Sequence, residues 1–327
     1  MKRGWITWDQ AELPPSAFQT RLDRVKKIIS ERNLPGLVVY TDVWKSNHAR
    51  YLVNFMPYWN RSLLVIPQDR PPILICALSP RVYPWIRSIS TLEEIRAGGD
   101  PARVLLQLCS ENKWNRIGFL DLMQLPHGIY TSIRGGQVEI VDLPAHEVLP
   151  TSTDEWELSM RRHAAKMARD IVSEELPAAV GVSDYQFVGR LERKFRRAGA
   201  EDLVILVTNG STPPAPAHGA TLTDGFSLAV AVEYRGHWAR LARPHSSAGA
   251  AESMRGQFER IAKDLETPRD TPICVENLSG PYPYEAQNRS EVSRGSVFAL
   301  DVEFRANGNR LFYGDTCWYG QTGAELL

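Results

Sequence analysis

Two acidic side chains near the carboxyl end of the chain have the spacing of a paired-carboxylate site. Asp301 and Glu303 are two residues apart in the segment 296–305, whose apolar alternation predicts a β-strand. Because side chains alternate across a strand, both carboxylates lie on one face and Val302 on the other. Such a pair can bind a cationic group, or hold one acid whose pKa is raised by its neighbour. The alternative is an ordinary solvated strand face.

Two arginines on another predicted strand are candidates for binding an anionic group. Arg240 and Arg243 are three residues apart in the strand 237–243, so they point to opposite faces and only one reaches a shared pocket. An arginine can clamp a carboxylate through two parallel hydrogen bonds. Glu233 lies on the preceding strand, so a structural ion pair between Glu233 and Arg240 is an equal alternative.

A single histidine is the candidate acid–base group. His218 lies in the Pro-rich segment PAPAHGATLTDG, and an imidazole with a near-neutral pKa can deliver or remove a proton at physiological pH. On its loop position alone, such a histidine is usually a surface residue. The other histidines show no spacing typical of a metal or catalytic site, and we interpret them as structural: His48, His127, His146, His163, His237 and His245.

Composition and charge exclude several classes of protein. The 327 residues include 38 Lys+Arg and 38 Asp+Glu, and this zero net charge argues against nucleic-acid binding through bulk positive charge. No apolar run has the length of a membrane span, and the amino-terminal residues show no signal-peptide core. The four cysteines are far apart, which predicts reduced thiols in a cytoplasmic protein: Cys76, Cys109, Cys274 and Cys317.

The elements that position these residues fall into two domains, 1–150 and 151–327. In the first, a stripe of apolar residues predicts an amphipathic helix over 17–34: Phe18, Leu22, Val25, Ile28 and Ile29. Short apolar strands alternate with further helices, which predicts an α/β domain with a mixed sheet.

The second domain begins with a long helix, for which Ser152 or Thr153 is the predicted cap. A second helix is predicted over about 183–198. Two hairpins follow, with turns at residues 235–236 and at 307–309.

The order of these pieces resembles the creatinase/aminopeptidase P/prolidase superfamily (peptidase M24), which has the pita-bread fold. In the first half the similarity lies in SNHARYLVNF followed by RSLLVIP, and in the second in ELSMRRHAAKMA, the His218 segment, VEYRGHWARLAR, GSVFALDVE, GDTCW and TGAELL. The resemblance covers most of the chain. It implies a mixed α/β (α+β) protein, with a creatinase-like amino-terminal domain and a shortened carboxyl-terminal pita-bread domain.

The resemblance also implies where a metal centre would lie. Metal-dependent members hold two metal ions with two Asp, one His and two Glu, and these donors suit a two-metal site. The two Asp positions are Ala229 and Arg240 in this chain, and the two Glu positions are Asp301 and Gly314. The segment that bears the ligating histidine is replaced by CVENLSGPYPYEAQN, which contains none. We therefore expect no metal ion and no other cofactor.

Creatinase is the precedent in this superfamily for hydrolysis without a metal, and His218 stands where its catalytic histidine would be. The resemblance implies a metal-independent hydrolase, or a lyase-type relative, that acts on a C–N bond of a small amidine, amide or guanidino compound. The implied catalytic residues are His218, Asp301 and Asp315. The implied substrate-binding residues are Glu233, Arg240, Arg243, Glu303, Tyr313, Trp59 and Arg61.

A homodimer is a further implication of the resemblance. In the creatinase dimer, an aromatic–Arg segment of the first domain reaches the neighbouring active site, and MPYWNRS occupies that region here. Trp59 and Arg61 are therefore candidates to close the pocket across the dimer. The alternative is ordinary loop or interface packing.

Two functions of different class stay open. One is the metal-independent enzyme, and the other is a catalytically silent pita-bread module that binds a ligand or a protein. The presence of His218 favours the enzyme, whereas the missing Glu positions favour the module. A His218 buried against Asp301 or Asp315 would support the enzyme, and a His218 that points into solvent would count against it.

Overall fold

The chain divides into two units, one that ends at residue 150 and one that comprises residues 151–327. A computed structural model describes residues 8–57, 60–149, 152–246, 249–265, 273–277, 292–321 and 323–327. Among these residues, no helix has both the length and the apolar character that a membrane span requires.

The first unit is a six-stranded mixed sheet in the order β4-β3-β2-β1-β5-β6. Its strands are β1 (Gly36–Thr41), β2 (Ser62–Pro67), β3 (Ile73–Cys76), β4 (Glu94–Ala97), β5 (Arg116–Leu120) and β6 (Glu139–Leu143). Its helices are α1 (Pro15–Glu31), α2 (Asn47–Val53), α3 (Tyr83–Ile89), α4 (Pro101–Glu111), α5 (His127–Arg134) and α6 (Ala145–Val148). β1 is parallel to β5 and antiparallel to β2.

Apolar residues on both faces of the central strands explain this layered arrangement. Leu37 and Val39 of β1 pack in one cluster with residues of α1, α2 and α3, while Val38 and Tyr40 pack in another with α4 and α5. A strand that is covered on both faces requires such a continuous apolar run. The predicted stripe of α1 is buried except for Ile28, which is half-buried.

The second unit is an antiparallel sheet in the order β10-β11-β12-β9-β8-β7, with β13 paired to β12. Its strands are β7 (Asp202–Asn209), β8 (Phe226–Tyr234), β9 (His237–His245), β10 (Ile273–Asn277), β11 (Val297–Ala306), β12 (Asn309–Tyr319) and β13 (Ala324–Leu326). Its helices are α7 (Glu155–Glu175), α8 (Asp184–Arg197) and α9 (Ala250–Lys263). Helices α7 and α8 pack on the β8–β9 hairpin, and α9 packs on β11 and β12.

The two predicted hairpin turns lie where the sequence places them. The β8–β9 turn has positive φ at Arg235 and Gly236 (50° and 84°), and the β11–β12 turn has positive φ at Asn307 and Gly308 (52° and 80°). Two successive residues in this conformation make a turn whose twist matches that of the strands. The second loop therefore has two residues, and Asn309, which the prediction assigned to the turn, belongs to β12.

The predicted cap of the long helix is wrong by one or two residues. α7 begins at Glu155, and its cap is Asp154, whose carboxylate accepts a hydrogen bond of 2.7 Å from the Glu157 amide. An aspartate satisfies a free amide of the first turn as a serine or threonine would, and its charge also suits the positive end of the helix dipole.

Candidate functional site

One row of residues across the second sheet contains three of the four metal-ligand positions that the resemblance implied, namely Ala229, Gly314 and Asp301. Ala229 pairs with Ala242, Ala242 with Gly314, and Gly314 with Asp301, on four neighbouring strands. Residues that are paired directly across antiparallel strands project to the same face. We call this face, with the row at its centre, the Asp301 face.

Gly314 lacks a side chain because the Asp301 carboxylate fills the space. A Cβ atom at position 314 would overlap Oδ1 of Asp301 and would approach the Leu300 carbonyl oxygen to 3.1 Å. Asp301 is 4% exposed, so its carboxylate is enclosed at this point. The position that corresponds to the second metal-binding Glu therefore holds the side chain of its neighbour on the next strand.

Arg240 projects to the same face, because it pairs with Ala231, two residues along from Ala229. It is 1% exposed. The hydroxyl of Thr316 holds the backbone of Arg240 at both ends, accepting from its amide at 2.7 Å and donating to its carbonyl oxygen at 2.9 Å. A buried cation thus stands where the resemblance would place a metal-binding aspartate.

Glu233 is the third buried charge of the Asp301 face. It has no solvent exposure, and it pairs with Trp238, so it lies diagonally across the ladder from Arg240. Diagonal neighbours on one face are within reach of long side chains. Together with Glu303, which lies on the same face, these residues give the Asp301 face three buried carboxylates and one buried guanidinium. Buried charges are costly unless they are paired or hydrogen-bonded.

Asp315, Arg243 and Tyr313 form a separate cluster on the opposite face of β12. Arg243 donates hydrogen bonds of 2.6 Å to Oδ2 of Asp315 and of 2.6 Å to the Gly314 carbonyl oxygen, and its guanidinium lies 4.3 Å from the centre of the Tyr313 ring. Arg169 of α7 also donates to Asp315, at 3.4 Å, and to the Leu327 carbonyl oxygen.

The prediction that these three residues share a site with Asp301 is therefore corrected. Asp315 follows Gly314 directly, so alternation turns its side chain away from the Asp301 face and towards α7. Asp315 is 2% exposed and paired with two arginines. Burial raises the pKa of the Tyr313 hydroxyl, and the neighbouring Arg243 charge opposes that rise. The cluster joins the sheet to α7 and to the end of the chain.

Glu303 lies on the Asp301 face, but its carboxylate already forms ion pairs with arginines of the same β11–β12 hairpin. Arg310 donates two hydrogen bonds to its carboxylate, at 2.9 and 2.7 Å, and Arg305 donates a third at 3.3 Å. The hydrogen bonds from Arg310 lower the pKa of Glu303, although its burial opposes the shift. The predicted pairing of Asp301 with Glu303 around a substrate cation is thus replaced by an internal ion pair.

The lowered pKa of Glu303 predicts acid sensitivity. Its folded pKa lies below the unfolded value of about 4.3, so its contribution is present above that pH and is lost as the pH falls through the folded pKa. We expect Glu303→Gln to flatten the loss of unfolding free energy below about pH 4.3. Denaturant titrations at several pH values measure this. The control Glu192→Gln, on the exposed side of α8, should keep the wild-type pH dependence, and an unchanged profile in Glu303→Gln would refute the assignment.

His218 lies near a different carboxylate from the one predicted. Its side chain is 69% exposed, and its Nδ1 is 3.5 Å from Oδ2 of Asp184 in the first turn of α8. The Asp184 carboxylate also accepts hydrogen bonds from the amides of His218 (3.0 Å) and Gly219 (2.8 Å). Burial raises the pKa of Asp184, but these backbone hydrogen bonds outweigh it, and the net shift is downward.

Through these hydrogen bonds, Asp184 attaches the loop that contains His218 to the start of α8. The expectation of a His218 buried against Asp301 or Asp315 is not met, because the loop turns its imidazole into solvent. Sequence reasoning did not include Asp184, although the pair Ser183-Asp184 marks the start of a helix and a carboxylate there is suited to bind backbone amides.

Of the two substrate-binding candidates in the first domain, Trp59 and Arg61, the structure describes only Arg61. Arg61 directly precedes β2, is exposed and lines a cleft within the first unit. Trp59 lies outside the described residues.

The residues of the Asp301 face do not fit a two-metal centre. Among the described residues, no three His, Cys, Asp or Glu side chains lie together in a way that could hold a metal ion. Arg240 adds a positive charge to the face, and Gly314 has no room for a ligand side chain. Metal centres of this kind need several oxygen or nitrogen donors around each ion, and Ala229 offers none.

Comparison with solved structures identifies the fold. The X-Pro aminopeptidase from Thermotoga maritima superposes with a TM-score of 0.75 at 15% identity, over 93% of this chain and 96% of that chain. The Xaa-Pro dipeptidase from Bacillus anthracis superposes with a TM-score of 0.74 at 15% identity, over 94% and 97%. The chain has the pita-bread fold. The predicted fold class, a mixed α/β protein with the pita-bread fold, is therefore confirmed.

The same fold occurs in a subunit of a protein complex. The N-terminal domain of the FACT complex subunit SPT16 from Eremothecium gossypii superposes on this protein with a TM-score of 0.63 at 12% identity, over 98% of this chain and 97% of that chain. Neither a protein-family sequence model nor a curated protein sequence matches. Superpositions at such low sequence identity establish a common fold alone, so the function has to be inferred from the residues of the site.

Proposed function

We propose that this protein is a catalytically silent pita-bread module whose role is binding. The observation that carries the proposal is the position of His218, which is 69% exposed and is held by Asp184 rather than by a carboxylate of the Asp301 face. General acid–base catalysis requires the proton-transfer group to reach the reacting atoms directly or through one water, and a His218 that points away from the Asp301 face is not positioned to act on a substrate held there.

The charges of the second domain support the same proposal. Glu303 is paired with Arg310, and Asp315 with Arg243 and Arg169. Groups that already pair with one another stabilise the fold, and binding a substrate ion through them would require breaking these pairs first. A pita-bread domain is also part of the FACT subunit SPT16, a component of a complex.

A metal-independent hydrolase is the second candidate, and one observation favours it. The Asp184 carboxylate lies 3.5 Å from Nδ1 of His218, so it can orient an imidazole whose other nitrogen is open. In that case His218 would be the acid–base group for a C–N bond of an amidine, amide or guanidino compound. Asp301 and Arg240 would then bind the polar ends of the substrate. Two of the structures with this fold are described as an X-Pro aminopeptidase and an Xaa-Pro dipeptidase.

One screen separates the two candidates. Wild-type protein is incubated with guanidino, ureido, amide and cyclic amidine compounds, and product formation is followed by mass spectrometry. We expect no turnover above that of buffer. Turnover that His218→Ala abolishes, and that the control His127→Ala retains, would overturn the binding proposal and establish the enzyme. His127 is an exposed histidine of the first domain, at the start of α5.

A further inference from the structure

The first domain contains a cleft whose lining, among the described residues, comes from residues 42–132. It has a volume of about 680 Å³ and lies where β1, β3 and β4 end and β2 begins. In open α/β sheets, ligands bind in the crevice outside the carboxyl ends of the strands. The volume is in the usual range for sites that hold a small organic molecule.

Strand pairing places an arginine next to an exposed indole in this cleft. Thr41 at the end of β1 pairs with Ser62 at the start of β2. The segments that follow Thr41 and precede Ser62 therefore meet, and they bring Trp44 and Arg61 into the same lining. Neighbouring strands are about 4.8 Å apart, so one small molecule can contact both side chains.

Trp44 lies in a turn that is held by the Asp42 side chain and that exposes the indole to solvent. Trp44 is 79% exposed. Such exposure is unusual for a tryptophan, because the indole has a large apolar surface that is normally buried. Asp42 holds the turn, since its Oδ1 accepts hydrogen bonds from the amides of Trp44 (2.8 Å) and Lys45 (2.7 Å) and its Oδ2 accepts from the Tyr40 hydroxyl (2.8 Å). The flat face of the ring is thus available for stacking.

Arg61 supplies the positive charge of the cleft. Within the described residues its guanidinium forms no ion pair, and its own amide is held by the Asn60 side chain at 2.7 Å. The two carboxylates of the lining, Asp42 and Asp100, are both committed to backbone amides. Their charge disfavours a multiply charged anion, whereas one guanidinium pairs well with a single carboxylate.

We propose that this cleft binds a small planar monocarboxylate, with the carboxylate on Arg61 and the aromatic or heteroaromatic ring against Trp44. The remaining polar groups of the lining, the Asn60 amide and the Ser132 hydroxyl, are within the same cleft and suit polar substituents of the ring. The proposal goes beyond the binding role proposed for the second domain and does not depend on it.

Calorimetric titration of the full chain with indole-3-acetate tests the proposal. We expect saturable binding to one site, weakened about tenfold or more by Arg61→Gln and by Trp44→Ala. The matched control is Arg24→Gln, an exposed arginine of α1 that does not line the cleft, and it should bind like the wild type. Thermal unfolding checks that each variant is folded.

Two further ligands, a neutral amide and a phosphate ester, test whether the cleft selects a carboxylate. We expect indole-3-acetamide and phenyl phosphate to bind more weakly than the carboxylate. Equal affinity for the amide, tighter binding of the phosphate, no saturable binding of the carboxylate at millimolar concentration, or unchanged affinity in Arg61→Gln would each overturn the proposal. None of these readouts involves turnover, so failure here and failure of the role proposed for the second domain are distinguishable.

Discussion

Replacing Gly314 with alanine is expected to lower the free energy of unfolding of the second domain by about 3 kcal/mol. The added methyl group would overlap Oδ1 of Asp301 and crowd the Leu300 carbonyl oxygen. Neither can give way easily, because the carboxylate is buried and the carbonyl belongs to the strand paired with β12. Urea titration followed by circular dichroism measures the change.

A double-mutant cycle shows whether the overlap with Asp301 is the cause. In the background of Asp301→Ala the carboxylate is gone, and the cost of Gly314→Ala should fall by more than half. The matched control is Gly256→Ala on the exposed side of α9, where a Cβ atom meets nothing within 4 Å. There alanine should stabilise the helix by up to about 1 kcal/mol. Equal costs of Gly314→Ala in both backgrounds would contradict the overlap.

The second large effect concerns the ion-pair cluster behind β12. Arg243→Ala is expected to destabilise the second domain by about 3–5 kcal/mol, because it removes one of the two arginines that compensate the buried Asp315 carboxylate. It also leaves the Gly314 carbonyl oxygen without the hydrogen bond of 2.6 Å that Arg243 donates. The free energy of unfolding of the purified variant measures the loss.

A structural role and a substrate role make different predictions at this position. If Arg243 is structural, the double variant Arg243→Met, Asp315→Leu should recover much of the lost stability, since it removes both charges and fills the volume with apolar atoms. Arg255→Ala is the control, because Arg255 is an exposed arginine that pairs with Glu259 one turn along α9. It should cost less than about 1 kcal/mol. An Arg243→Ala variant as stable as this control would exclude the structural role.

Together these features describe a sheet whose residues do not fit a two-metal site. The positions expected to hold metal ligands are occupied by Ala229, Gly314 and the buried Arg240, and the one acid among them, Asp301, fills the space beside the glycine. Each change removes a donor or adds a positive charge. The backbone, by contrast, superposes on X-Pro aminopeptidase along 93% of the chain, because strand pairing and core packing do not require the ligands.

Some of this arrangement could be predicted because it depends on short segments. The hairpin at Asn307-Gly308 follows from two residues that tolerate positive φ between apolar strands. The shared face of Asp301 and Glu303, and the opposite faces of Arg240 and Arg243, follow from the two-residue period of a strand. The same period also separates Asp315 from the Asp301 face. The resemblance, in contrast, implies a catalytic role for Asp315 beside Asp301, which this period contradicts.

Other features depend on residues far apart in the chain. His218 and Asp184 are separated by 34 residues, and Arg243 and Asp315 by 72. No local pattern of charge or hydropathy indicates which carboxylate a histidine or arginine meets. Arg310 is closer, seven residues from Glu303, and a hairpin register counted from the turn would have placed it on the neighbouring strand.

The sequence by itself determined the two-domain plan, the strands and their faces, and the lack of metal donors at four of the expected positions. These properties depend on residue type and on periods of two or 3.6 residues, which are local. The tertiary structure alone decided which charges compensate one another, that the Asp301 carboxylate fills the space beside Gly314, and that His218 faces solvent. Those outcomes depend on register between strands and on packing between distant elements, where a shift of one residue exchanges buried and exposed faces.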